Sequence, residues 1–97
     1  MAKLNWTNEA EVWLKDIYSY IAVDNPNAAV KVINGIYQKA QLLLDYPEIG
    51  YQYNAGIDGN IRILLYGHYR IAYLIKENRN IDILGVFHGA LAIERYL

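Results

Sequence analysis

Three β-rich segments in the second half of the chain constrain its fold more than any other feature. They cover about residues 61–66, 69–75 and 81–88, and are dominated by Ile, Leu, Val and Tyr. Runs of that length and composition, bounded by turn residues, read as strands. Gly67-His68 separates the first two. A two-residue loop with glycine first predicts a hairpin closed by a type II′ turn. Lys76 to Asn80 forms a longer hairpin connection to the third strand. The sheet is therefore expected to be mainly antiparallel.

The first half supplies the cover. Ala2 to Trp6 alternates in character and predicts a short N-terminal strand. Thr7 or Asn8 then caps a helix, with Glu9 and Glu11 placed favourably in its first turn. Ala10, Trp13, Leu14, Ile17, Tyr18 and Ile21 recur at helical spacing and form one apolar stripe. Asp24-Asn25-Pro26 ends this helix, and Asn25 with Pro26 starts the next. Its stripe runs Ala29, Val32, Ile33, Ile36, Tyr37, Ala40, Leu43 and Leu44. Gly35 costs that helix about 1 kcal/mol relative to alanine, a cost offset if the first helix approaches closely there. A short link between two amphipathic helices predicts an antiparallel helical hairpin. Residues 47–60 read as a loop with an extended stretch at Tyr51-Gln52-Tyr53 and a turn at Asp58-Gly59-Asn60. The tail from Gly89 to Leu97 predicts a short helix. The expected class is α+β: an N-terminal strand and a helical hairpin packed on one face of a mainly antiparallel sheet. A chain of 97 residues is expected to form one domain, 1–97.

Charge and composition narrow the function. The net charge is −1 and the sequence pI about 6.0, which argues against affinity built on bulk phosphate attraction and so against direct DNA binding by this chain alone. Residues 1–50 carry four lysines against six carboxylates, and residues 51–97 carry five cations, including all four arginines, against four carboxylates. Arginine suits paired contacts with carboxylate or phosphate, so the strand half is the expected binding half. Ten tyrosines against one phenylalanine suit half-buried surfaces and interfaces. There are no cysteines, and neither a signal-like N-terminus nor a bilayer-length apolar run. A cytoplasmic protein without membrane contact is expected.

Strand alternation assigns faces. Ile61, Ile63, Leu65, Ile71, Tyr73, Ile75, Ile81, Ile83 and Phe87 form one parity set, expected beneath the helices. Arg62, Leu64, Tyr66, Arg70, Ala72, Leu74, Asp82, Leu84, Val86 and His88 form the other. With both helices committed to the first face, the second is left as an apolar patch with charged islands. Such patches mark partner surfaces, so Leu64, Leu74, Leu84 and Val86 are expected to bind a partner. Arg62 and Arg70 on that face form a candidate anion site; the structural alternative is an ion pair, for instance with Asp82. His88 is a candidate general acid or base, or simply a strand-end histidine bonded to backbone. Two histidines without ligand spacing make no metal site. Gly56, Gly59 and Gly67 are isolated turn glycines, and Ser19 has no base at useful spacing. No cofactor and no metal are expected.

The order of these pieces resembles a known family. Trp6, the helix Asp16 to Ala22, the Asp24-Asn25-Pro26 link, Leu44-Asp45-Tyr46-Pro47-Glu48-Ile49-Gly50, Arg62, Tyr69-Arg70-Ile71-Ala72-Tyr73 and Ile83-Leu84-Gly85-Val86-Phe87-His88-Gly89 occur as in the RelE/ParE toxin superfamily of type II toxin–antitoxin modules. The resemblance is nearest to the ParE branch and spans nearly the whole chain. It implies a toxin of a plasmid-stabilisation module that inhibits growth by binding DNA gyrase and is neutralised by a cognate antitoxin. The alternative is the RelE activity, ribosome-dependent cleavage of mRNA. There Arg70 matches the strand arginine and His88 roughly the terminal catalytic position. Gly89 and Ala90 follow His88 where a tyrosine would be expected, Leu91 stands where related toxins often carry a polar residue, and the lysine pair of the ribosome-dependent site is missing. A third reading is a degenerate member that only binds an antitoxin-like partner.

Overall fold

The structure, a computed structural model, describes residues 2–53, 60–89 and Arg95. The order is β1 (Leu4–Trp6), α1 (Asn8–Ala22), α2 (Pro26–Gln41), a 3₁₀ turn (Leu42–Leu44), β2 (Tyr51–Gln52), β3 (Ile61–Tyr66), β4 (Tyr69–Ile75) and β5 (Ile81–His88). Local signals act where the sequence places them. Thr7 caps α1 by accepting the Ala10 N–H at 3.2 Å, and its hydroxyl also donates to the Ile83 carbonyl at 2.7 Å. Asn25 caps α2 through the Ala28 N–H at 3.0 Å, with Pro26 at the first helical position. Gly67 takes φ 57° in the β3–β4 turn while His68 stays at negative φ, the type II′ pattern. In the second connection Arg79 takes φ 71°, a left-handed conformation that side chains disfavour.

The strands form one sheet in the order β1-β5-β4-β3-β2. All neighbours are antiparallel except β1, which runs parallel to β5 and pairs only with Ile81–Ile83. The helical hairpin covers one face. Its buried residues Ala10, Leu14, Ile36 and Ala40, together with Leu43, pack on Leu64, Ile71, Tyr73, Ile75, Ile81, Ile83 and Val86. The expected stripes hold with two trims: Tyr18 and Leu44 are exposed. Gly35 makes room for a strand residue rather than for α1, because a Cβ there would run into the Tyr66 ring. The expected tail helix falls on residues 90–97, of which only Arg95 is described.

The face assignment needs correction, for two reasons. Residues directly opposite in an antiparallel pair share a face. The two-residue turn pairs Tyr66 with Tyr69, so even residues of β3 face the same way as odd residues of β4. Leu64 therefore joins Ile71 beneath the helices, and Ile63 joins Ala72 on the other side. In β5, Ala72 pairs with Gly85 but Tyr73 with Ile83, which leaves Leu84 as an extra, bulged residue. The bulge reverses parity, so Val86 lies with Ile71 under the helices and Phe87 lies opposite Arg70 on the helix-free side. A Cβ at Gly85 would stand 2.5 Å from the Phe87 ring, so a larger residue at that position conflicts with the ring's placement.

Candidate functional site

Arg62 and Arg70 do not share a face. Arg62 pairs across the sheet with Tyr73, on the helix side, whereas Arg70 pairs with Leu65 and Phe87 on the other. Arg62 is turned inward toward the Pro47–Gly50 loop. Its guanidinium donates to the Gly50 carbonyl at 2.8 Å and to the Glu48 carbonyl at 3.3 Å. Tyr73 completes the anchor: its hydroxyl donates to the Pro47 carbonyl at 2.7 Å and accepts the Gly50 N–H at 3.0 Å. Burial pushes the Tyr73 hydroxyl above its ordinary pKa, although the Gly50 N–H and the Arg62 charge pull it down. A Cβ at Gly50 would stand 2.7 Å from the Ile63 carbonyl, so the loop lies directly on the strand backbone. Neither expectation for Arg62 describes this role. Asp82 pairs with Lys76 at 3.5 Å and accepts from Asn5 at 3.3 Å.

Arg70 reaches the chain end of the sheet, where it donates to the Gly89 carbonyl at 3.4 Å. His88 occupies the exposed last position of β5, paired with Tyr69. Their side chains leave opposite faces, yet both line a shallow cleft of about 370 Å³ around the β3–β4 turn, together with His68. The His68 and His88 rings lie near-parallel with centroids 6.3 Å apart, and Tyr69 meets His88 edge-on at 5.7 Å. Sequence reasoning passed over His68, a turn residue. The signal for it lay in the hairpin: a II′ turn of two residues places His68 beside the end of whichever strand flanks β4, and the Gly89 N–H donates to the His68 carbonyl at 2.7 Å. Among the described residues, no group of three or more His, Cys, Asp or Glu is placed to hold a metal ion.

The four apolar residues expected at a partner surface divide in two. Leu64 and Val86 are buried in the helix-side core and unavailable to a partner. Leu74 and Leu84 remain on the helix-free face, half-buried. There Leu84 borders a smaller buried cluster of Ile63, Ala72 and Phe87, which Trp13 joins from α1 with its ring 4.7 Å from that of Phe87. Leu65, 55% exposed, and Arg70 complete that face toward the hairpin end. Of the four, the structure thus leaves Leu74 and Leu84 on the helix-free face, and it adds Leu65, which the parity argument had placed beneath the helices.

The model of the ParE toxin of type II toxin–antitoxin systems matches residues 4–92. The chain belongs to that family. Among solved structures, the chromosomal ParDE system of P. aeruginosa is similar at a TM-score of 0.74 and 23% identity, covering 91% of this chain and 96% of that one. The toxin–antitoxin complex RelBE2 of Mycobacterium tuberculosis is similar at a TM-score of 0.59 and 18% identity, covering 90% of this chain and 96% of that one. At those identities both likenesses speak to the fold. No curated protein sequence matches the chain significantly. The family accounts for the architecture: a helical hairpin on one face of a mostly antiparallel five-stranded sheet. Among the described residues, no helix is long and apolar enough to cross a membrane.

Proposed function

We propose that this ParE-family toxin acts in the cytoplasm by binding DNA gyrase, without chemistry of its own, and is neutralised by a cognate antitoxin. One observation carries the reading over cleavage of RNA. Arg62, one of the two strand arginines, is committed to backbone carbonyls on the face opposite Arg70. The sheet therefore offers no paired cations to hold a scissile phosphate, and the net charge of −1 supplies no general attraction for RNA. For the antitoxin, support comes from the helix-free face, which carries Leu65 opposite Arg70 and, further along the sheet, Leu74 and Leu84. A partner segment that buries these leucines and sets a carboxylate against Arg70 would match both features.

The cleft shared by Arg70, His68 and His88 favours one second reading, the nuclease. His88→Gln separates the two. A toxin that works by binding needs no proton transfer, so the variant keeps most of its toxicity, and cells show DNA breaks or relaxed plasmid. A nuclease using His88 as acid or base would lose about 10²–10⁴-fold in the chemical step. Induced expression with separate measurements of supercoiling and mRNA integrity decides the matter: mRNA cut on ribosomes, with toxicity lost in His88→Gln, would establish the nuclease.

A further inference from the structure

A second surface runs along α1 and reaches the ends of β4 and β5, with Trp13, which also packs on Phe87, at its centre. Two adjoining clefts of about 400 Å³ each share Trp13 and Asp16. That size falls at the small end of ligand clefts, roughly 300–1,000 Å³. The first lies between the C-terminal half of α1 and the ends of β4 and β5. Its floor is apolar, from Ile17 and Val86, and its walls are the aromatic faces of Trp13, Tyr20 and Tyr69. The second continues along α1 past Val12 and Glu9. Tyr20 is 80% exposed and Val12 58% exposed, so both present large apolar area to water. Helix α1 is amphipathic in the wrong sense here: these residues fall outside the stripe that meets the sheet. β1 ends at Trp6, opposite Ile83, and among the described residues no strand flanks β5 beyond it on this side.

Charge selects the occupant. Asp16, Glu9 and His88 line these clefts, and among the described residues no lysine or arginine does. Among the described residues neither carboxylate takes part in an ion pair. A phosphate or nucleic-acid backbone would be repelled. A guanidinium fits both features at once, because it stacks on aromatic faces while its N–H fork pairs with a carboxylate. Burial, with the neighbouring Tyr20, raises the pKa of the Tyr69 hydroxyl.

We propose that this groove docks an arginine-bearing segment of a protein partner, with the guanidinium stacked between Trp13 and Tyr20 and paired with Asp16. The proposal rests on the reading that an antitoxin covers this toxin, and it adds a second contact, along α1, to the one at Leu74 and Leu84.

The test is a titration of the full chain followed by NMR, with Trp13 indole and Tyr20 resonances as reporters. The probes are acetyl-Leu-Arg-Leu-Leu-amide and its twin with neutral citrulline in place of arginine. The arginine peptide is expected to bind about fivefold more tightly, the size of a stacked cation and an exposed ion pair together. Asp16→Asn, a change at an exposed helical position, should erase the difference. Equal affinity for the two peptides, no binding of either, or tighter binding of guanosine monophosphate would overturn the proposal. The protein encoded beside this chain provides a separate check. If it binds and leaves the Trp13 and Tyr20 resonances unmoved, the groove assignment fails alone. If it does not bind, the antitoxin reading fails, and the peptide titration still decides the chemistry of the groove.

Discussion

The two faces of the sheet are built from the same kinds of residue and finished in different ways. Under the helices, Ile71, Tyr73 and Val86 are fully buried against Ile36 and Leu43, and the polar groups there are tied to backbone. On the helix-free side, Ile63, Ala72 and Phe87 form a small buried patch, while Leu65 beside Arg70 and Leu74 and Leu84 further along stay partly open. Composition does not separate the two: isoleucine, leucine, an aromatic and an arginine occur on both. What separates them among the described residues is that the helical hairpin lies across the first, while Trp13 and Tyr53 pack at the second. The arginines show it most clearly. Arg62 holds the Pro47–Gly50 loop on the helix side, whereas Arg70 lies on the other face and donates to the Gly89 carbonyl.

That contrast yields predictions on very different scales. The largest effect belongs to the covered face. Ile36→Ala removes a fully buried side chain from between helix and sheet. It should lower unfolding free energy in urea by about 2–5 kcal/mol. A loss under about 0.5 kcal/mol, the size of a surface effect, would mean that this face is not the core. Tyr73→Phe should cost about 1–3 kcal/mol, since it leaves the Pro47 carbonyl and the Gly50 N–H without their partner. The tyrosine also sets an alkaline limit. Its hydroxyl titrates higher in the folded state than unfolded. Its contribution is therefore constant at neutral pH and falls once pH rises above about 10, the unfolded value. Thermal melts from pH 8 to 11 should show a shallower alkaline loss in Tyr73→Phe; an unchanged slope would place the loss elsewhere.

The helix-free face should respond the other way. Leu74→Gln with Leu84→Gln is expected to cost under about 1 kcal/mol in stability, because both positions are only half-buried. The same double variant should weaken antitoxin binding by more than about tenfold, as the loss of central apolar contacts does. Retained affinity in a folded double variant would remove this face as the antitoxin surface. The smallest effect lies far from both faces. Arg79→Gly relieves a left-handed backbone at φ 71° and should raise stability by about 0.5 kcal/mol, after the extra freedom of glycine in the unfolded chain is deducted.

Much of this was legible in the sequence, and the part that was not has a definite cause. Caps at Thr7 and Asn25, the turn at Gly67 and the helix stripes are local: each depends on residues within a few positions, so pattern reading reaches them. The strand faces are not local. Counting parity was sound within β3 and β4 but failed between them, because a two-residue turn swaps odd for even, and failed within β5, where a bulge at Leu84 swaps it again. Both signals were present. Gly67-His68 already fixes Tyr66 opposite Tyr69, and a lone glycine inside a strand, Gly85, is the usual mark of a bulge. Applying them would have moved Leu64 and Val86 into the core, and Leu65 and Phe87 out of the set beneath the helices.

The sequence by itself determined the elements and the family: two capped helices, a meander of strands, and the ordered residues that match the ParE toxin over 4–92. These follow from steric and hydrogen-bonding preferences that act within a turn or two of chain. Tertiary structure alone decided what the functional candidates do. Arg62 and Arg70, eight positions apart, have similar neighbours in sequence and opposite roles in space. One donates to the carbonyls of the Pro47–Gly50 loop on the helix side, and the other to the Gly89 carbonyl on the opposite face. The fate of a charged side chain is set by the polar groups and solvent it meets after folding, and those come from parts of the chain that no local pattern brings together.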